Sequence, residues 1–347
     1  MTSTTLQDAD TTAAAETTAA SPFRQVSDDP LIIEISNGAG VAQFAPLHGG
    51  RLMSWTVHGT PIIHWPDNAD WSNAKSVRGG NPLLFPFIAR HMLDGELGKW
   101  RDTDGTVRHV PMHGFAREMP FEYELASKGD IAAGSLTNSE ASIAMKLTST
   151  EETLKGYPFP FVFEARYTLR DNALDVALTV TNTGGKPLPC YAGHHFYFAL
   201  PAAERPLWRL ELPAEQWGRQ REDGSIARIN ASVPHGSAVF SIADANLIDR
   251  YHLGGDFGGI VRLYRPGALP SPDFKGGRTG SYVQLDLRTR GEEIPWYCVT
   301  TWTQAPESDY YCVEPWLGLP NAIHHGEGLR YVAPGASETC VVRMSAW

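Results

Sequence analysis

The sequence predicts an all-β protein folded as one large antiparallel β-sandwich, and three observations carry that prediction. Short apolar or alternating runs, each closed by turn residues, recur from Leu31 to the C-terminus. No window of about twelve residues holds a helical period. The 33 glycines and 25 prolines among 347 residues exceed the roughly 12% of average usage, which favours many turns over long helices. A hydrophobic fraction of 42% is enough to bury a substantial core.

Residues 1–29 are rich in Thr, Ala and Asp and nearly free of large apolar side chains, so they are expected to be a disordered tail. They lack the basic start and continuous apolar run of a signal peptide. Residues 30–347 are expected to be a single domain, because no linker, repeat or composition break follows.

LIIEIS, VAQFAP, RLMSWTV and PIIHWP read as the first strands, at hairpin spacing. The segment from Trp71 to Glu118 is crowded with Gly, Pro, Arg and His, and is expected to form long loops over one face, where function usually sits. Strands resume with FEYELA, SIAMKLTST, FVFEARYTLR and ALDVALTVTN; the last two alternate as half-buried neighbours around an Arg-Asp-Asn turn. PCYAGHHFYFALP, from Pro189 to Pro201, reads as a buried aromatic strand, and LWRLELP, IVRLYRP, SYVQLDLRT, PWYCVTTW, YYCVEPW and TCVVRMSAW complete the set.

A net charge of −10 argues against nucleic acid or an anionic membrane as partner. No stretch approaches the roughly 20 apolar residues of a transmembrane helix. Cys190, Cys298, Cys312 and Cys340 show no ligand or redox spacing, so a cytoplasmic protein with unpaired, largely buried thiols is expected. Phosphate-loop, dinucleotide, HExxH and GxSxG motifs are absent. His109 and His113 are four apart, but Pro111 between them is incompatible with a helical ligand pair, so no metal is expected.

The chemistry-bearing letters stand inside apolar strings. His194 and His195 are adjacent in a strand, so only one can face the side shared by Tyr191, Gly193 and Tyr197. Such a histidine is an acid/base candidate, or a core residue satisfied by a carbonyl. Glu314 in YYCVEPW is a carboxylate whose burial raises its pKa, as a general base or acid requires; a structural ion pair is the plainer alternative. Asp249 stands beside Arg250, and a local surface pair explains it equally well. His113 and Arg90 belong to the loop-rich segment, where solvated charge is common.

The blocks VRGGNPLLFPF, HGFAR, HHFYFALP, LIDRYH and CVEPWLGLPNA, with a late APGAS, appear in one order from Gly49 to the C-terminal strand. Their combination resembles the aldose 1-epimerase (galactose mutarotase-like) family. That resemblance implies a large β-sandwich that interconverts α and β anomers of hexoses without a cofactor. It also implies that His195, followed by Tyr197-Phe198, is the general acid and Glu314 the general base. Arg90, His113 and Asp249 match positions that hold sugar hydroxyls, and His194 matches no catalytic position. Trp302, Trp316 and Tyr297 are candidates to stack on a sugar face.

Opening a pyranose requires a proton taken from the C1 hydroxyl and one delivered to the ring oxygen, and a carboxylate and an imidazolium can do both. A carboxylate near His195 is expected to keep its imidazole charged. Relatives acting on hexose 6-phosphates hold the phosphate with arginines matched here by Arg78 and Arg117. GGNP in place of their GGIP, together with the IARH string, favours free hexoses as substrates. The alternatives are a hexose-6-phosphate 1-epimerase, a non-catalytic carbohydrate-binding protein, and a glycoside hydrolase or lyase. The last requires two carboxylates, for which Asp249 and Glu314 are the only nominees.

Overall fold

Strict alternation of buried and half-buried residues in Phe161–Arg170 and Ala173–Asn182 builds the middle of one sheet. The two strands pair in continuous register, from Phe161 opposite Asn182 to Arg170 opposite Ala173, across the expected Asp171-Asn172 turn. The computed structural model describes residues 21–128, 140–212, 214, 216–230, 238–253, 259–268, 281–289 and 293–347. In it this sheet has nine strands, ordered Glu122–Lys128, Glu140–Thr148, Phe161–Arg170, Ala173–Asn182, Ser337–Ala346, Tyr282–Asp286, Ile260–Tyr264, Arg209–Glu211 and Val239–Ser241.

The second sheet has eleven strands. Its first five, from Phe23–Asp28 through Leu31–Ser36, Gly40–Ala45 and Arg51–Val57 to Thr60–Ile63, form a meander. Phe196–Phe198, Tyr311–Trp316, Cys298–Trp302, Arg250–Leu253, Gln216–Gln220 and Ile226–Asn230 follow across the sheet. The sheets share one apolar core that runs from Ile33 to Ala346. Phe44 of the larger sheet meets Tyr167 of the smaller with ring centroids 5.0 Å apart. The fold is therefore mostly β and antiparallel, as the alternation predicts. Among the described residues no helix is long and apolar enough to cross a membrane. All four cysteines are free and buried.

Two local expectations are corrected, and one strand was not foreseen. The tail boundary at residue 29 falls inside the sheet, because Phe23–Asp28 pairs with Leu31–Ser36 as an edge strand; residues 1–20 lie outside the described residues. Val26 on that strand is exposed, which is why an edge with so little apolar content reads as tail. PCYAGHHFYFALP is not one strand. Leu188–Cys190 pairs with Arg330–Val332 in a separate two-stranded sheet, and only Phe196–Phe198 joins the large one. Between them Gly193 makes single bridges to Leu84 and Trp316, so the chain bends while staying buried. Finally, Gln216–Gln220 is a strand without an alternating pattern, held by pairing with Arg250–Leu253 and by the Arg250 guanidinium 4.1 Å over the Trp217 ring.

Among the described residues His91, His194 and His252 are buried and His113 is half-buried in this frame, and desolvation pushes the pKa values of His91, His113, His194 and His252 down from 6.5 to about 4, 3, 3 and 3. Between pH 6.5 and about 3 the unfolded chain binds protons that the folded chain refuses. Stability is thus full above the unfolded value and is lost as the pH falls through that window. Each tenfold loss of proton affinity on folding corresponds to about 1.4 kcal/mol. Urea midpoints measured from pH 7 to pH 4 should fall steadily, and a flat profile between pH 7 and pH 5 would refute this.

Candidate active site

Every residue of Tyr311–Trp316 is buried, because this central strand is covered on both faces. Tyr311 and Val313 point into the core shared with the other sheet. Glu314 and Trp316 point the opposite way, into a cavity of about 620 Å³. Thr300 and Trp302 on the next strand, Tyr251 beyond it and Tyr197 on the other side supply the rest of the floor. The opposite wall comes from the loop-rich segment, with Arg78, Arg90, His113 and Arg117 among its contributors.

That wall is pinned by backbone. Leu84 bridges Gly193, Phe87 bridges Tyr191 and Phe85 bridges Gly114. Gly114, at φ +76°, has no substitute: a Cβ there would lie 1.9 Å from the Phe85 carbonyl oxygen. Ahead of it His113 also takes a positive φ, 65°, as does Ala89 at 52°. The two lock each other, since the Ala89 N–H donates to His113 Nδ1 at 3.1 Å and the His113 N–H donates to the Ala89 carbonyl at 3.0 Å. Asp249 is a third cavity residue with positive φ, 53°. Three of the seven non-glycine residues with positive φ among the described residues thus line this one cavity.

His194 and His195 separate as the adjacency requires. His195 lines the cavity, its ring stacked on Tyr197 at 4.7 Å and meeting the edges of His113 at 5.6 Å and Trp302 at 5.7 Å. His194 turns into the protein, stacks on Phe196 at 4.6 Å and bonds to Asn81. Asn81 does not stand out by its letters, yet it organises both histidines. Its amide nitrogen serves the Tyr167 hydroxyl at 2.9 Å and His194 Nδ1 at 3.1 Å, and its oxygen accepts the His195 N–H at 2.9 Å. The only sequence signal was the departure from GGIP to GGNP.

Glu314 is 1% exposed and His195 9%, and Glu314 Oε1 lies 3.5 Å from His195 Nδ1. Neither His195 Nδ1 nor Glu314 Oε2 has a hydrogen-bond partner among the described residues. Burial, with the Asp249 charge behind it, pushes the Glu314 carboxyl well up. Burial, followed by His113, Arg117, Arg78 and Arg51, pushes the His195 imidazole well down. The expectation that a carboxylate near His195 keeps its imidazole charged runs against this direction. The cations and the desolvation outweigh one carboxylate, and the neutral pair is favoured.

Cys312 brings its sulfur within 4.8 Å of these two side chains. Its thiol is fully buried beside Tyr197 and Trp302, and burial pushes its pKa well above the ordinary value.

The remaining nominees also reach the cavity. Arg90 Nε donates to Gln220 Oε1 at 3.1 Å, and the Gln220 amide donates back to the Arg90 carbonyl at 3.0 Å. Burial raises the Asp249 carboxyl, with Arg90 and Arg219 opposing. The suspected Asp249–Arg250 pair does not form, because Arg250 turns to Trp217 and Phe240. Trp302 and Trp316 line the cavity, but Tyr297 does not; its hydroxyl donates to Glu327.

Arg78 and Arg117 stand on the loop side. Arg78 Nε donates to Gln304 at 2.9 Å, with the guanidinium 5.6 Å from the Trp302 ring centre. Arg117 Nη2 donates to the Met112 carbonyl at 3.0 Å, and its buried Nε has no partner. Behind them Arg51, which sequence reasoning passed over, is fully buried, and burial pushes it down to about 10. Among the described residues none of these three arginines bonds to a carboxylate; Arg51 reaches only the Ala74 and Val77 carbonyls.

Known proteins agree with this architecture. The Slr1438 protein of Synechocystis superposes with a TM-score of 0.70 at 22% identity, covering 96% of this chain and 99% of that one. A galactose mutarotase related enzyme of Lactobacillus acidophilus superposes with a TM-score of 0.68 at 21% identity, covering 90% and 96%. The fold is galactose mutarotase-like. A candidate glucose-6-phosphate 1-epimerase of Salmonella typhimurium is 27% identical over 145 residues, 42% of this chain. The match spans 41% of that curated relative's length. The aldose 1-epimerase pattern matches residues 32–222, more than half of the sequence, and the chain belongs to that family of isomerases.

Proposed function

We propose that the protein interconverts the α and β anomers of a hexose 6-phosphate, with His195 and Glu314 as the proton-transfer pair. The observation that carries this reading is the trio Arg51, Arg78 and Arg117, set against the cavity without a carboxylate partner in a chain of net charge −10. Of the three only Arg51 is fully buried, where a charge without a counterion is costly, while the half-buried Arg117 and the exposed Arg78 line the cavity, where charge-assisted hydrogen bonds to a phosphate would offset that cost. The candidate activity of the Salmonella relative supports the same substrate class. The GGNP letters no longer speak for a free hexose, because Asn81 is fully buried and bonded to His194, His195 and Tyr167 rather than lining the cavity.

In the proposed cycle Glu314 takes the C1 hydroxyl proton while His195 gives one to the ring oxygen, and the C1–O5 bond breaks to leave the aldehyde. The pair then holds its single proton on Glu314. After rotation about C1–C2, the ring oxygen attacks the other face, its proton returns to His195, and Glu314 protonates the new C1 oxygen. Arg90, His113 and Asp249 hold sugar hydroxyls, and Trp302 and Trp316 flank the ring. No cofactor enters this scheme.

Coupled polarimetry with α-D-glucose, α-D-galactose and glucose 6-phosphate tests the reading. The largest gain over the uncatalysed rate is expected for glucose 6-phosphate, with Arg117→Ala raising its KM at least about tenfold through a lost charge-assisted bond. Equal or greater gain on the free hexoses would return the substrate to the unphosphorylated class. Binding without acceleration would make the protein a carbohydrate binder.

A further inference from the structure

The arginines and the proton-transfer pair share one cavity and one electrostatic field. Arg78, Arg117, His113, His195 and Glu314 all line it, and Arg51 is buried just behind. Arg78 and Arg117 line the cavity with no carboxylate partner among the described residues, so its cationic side is open to an anion. The groups acting on the His195 imidazole are Glu314 and Cys312 from the neighbouring strand, Tyr197 from its own, and His113 and the three arginines from the opposite side.

We propose that a dianion seated on Arg78 and Arg117 is an activator of the proton-transfer step, and not only a handle that holds the substrate. This rests on the reading of His195 and Glu314 as the proton-transfer pair. Burial, and after it His113 and the uncompensated arginines, disfavours a further positive charge on His195, which draws the proton of the pair toward Glu314. That is the distribution reached after ring opening, so the resting pair is loaded the wrong way round for a closed sugar. Two negative charges on the arginines cancel their share of that penalty, which shifts the proton from Glu314 toward His195. The imidazolium can then protonate the ring oxygen, and the carboxylate can take the C1 hydroxyl proton. No bond to the anion forms or breaks, and the pair carries one proton throughout. The anion therefore acts whether or not it is attached to the sugar.

The experiment uses the full chain, α-D-glucose as the phosphate-free substrate, and the phosphite dianion as the detached group at constant ionic strength. Rates measured without protein at each phosphite concentration are subtracted, because oxyanions themselves catalyse mutarotation. The expected result is a saturable rise in kcat/KM of at least about tenfold, the factor that a tenfold gain in the affinity of His195 for its proton produces. The alkaline limb of the pH profile should also move to higher pH, because the pair gives up its proton less readily beside a dianion. Arg78→Gln and Arg117→Gln should each abolish the saturation.

An enzymatic rate that phosphite leaves unchanged or lowers overturns the proposal. So does equal activation in both variants, and the wild-type response decides the matter even if a variant fails to fold. If glucose 6-phosphate turns over no faster than glucose while phosphite activates, the ester reading fails and this one stands. If the ester is preferred and phosphite only competes, this one fails and the ester reading stands.

Discussion

Glu314→Gln is expected to lower turnover by at least about 10²-fold on any accepted sugar, and His195→Ala by a similar factor. Glutamine keeps the shape of a side chain that is 1% exposed, so the loss would reflect the missing proton site rather than repacking. The two residues lie 3.5 Å apart and are proposed to hand one proton through the substrate, so their effects should not add. The double variant should be little worse than the poorer single, as for residues acting as a unit. Exchange spectroscopy between anomeric resonances, normalised to folded protein, gives the rates directly. His194→Ala is the internal control. Its ring stacks on Phe196 on the far side of the chain, so turnover per folded molecule should stay within about tenfold of wild type while stability falls through the cavity created. A His194 variant that proved the more damaging per folded molecule would reverse the assignment of the two histidines.

Asn81→Leu should cost about 3–5 kcal/mol of stability, far more than its single side chain suggests. Every hydrogen-bonding group of the Asn81 amide is used, two protons toward Tyr167 and His194 and the oxygen toward the His195 N–H. Leucine leaves three buried groups without partners, and each orphan costs about 1–3 kcal/mol. Asn81→Asp should recover the acceptor for His195 but not the donors. It should remain destabilised, because the carboxylate is buried where only one N–H faces it. Urea unfolding at pH 7 measures both, and a loss below about 1 kcal/mol for Asn81→Leu would mean the network is not what holds this turn. Because the His195 backbone hangs from Asn81, anomer exchange in whatever fraction folds should also slow.

The strands that carry a period were legible from their letters. FVFEARYTLR and ALDVALTVTN alternate because each faces core on one side and water on the other, and that contrast is written into neighbouring residues. YYCVEPW was legible as buried, and Glu314 stood out because a carboxylate in such a string needs a reason. The separation of His194 from His195 also followed locally, since adjacent side chains in extended backbone diverge. Gln216–Gln220 and Phe23–Asp28 were not legible, because their partners rather than their own pattern make them strands.

By itself, then, the sequence determined an antiparallel β-sandwich, a loop-covered face, and the pairing of His195 with Glu314 as the residues to test. Only the tertiary structure decided that Asn81 is bonded to both histidines, that Asp249 and Arg250 part company, and that Arg51 is buried behind Arg78 and Arg117, which line the cavity. It also turned the expected shift of His195 downward, through burial and the neighbouring cations. The physical reason is one of range. Periodicity is a property of neighbours along the chain, whereas desolvation and the field of three arginines come from residues brought together across both sheets and their loops.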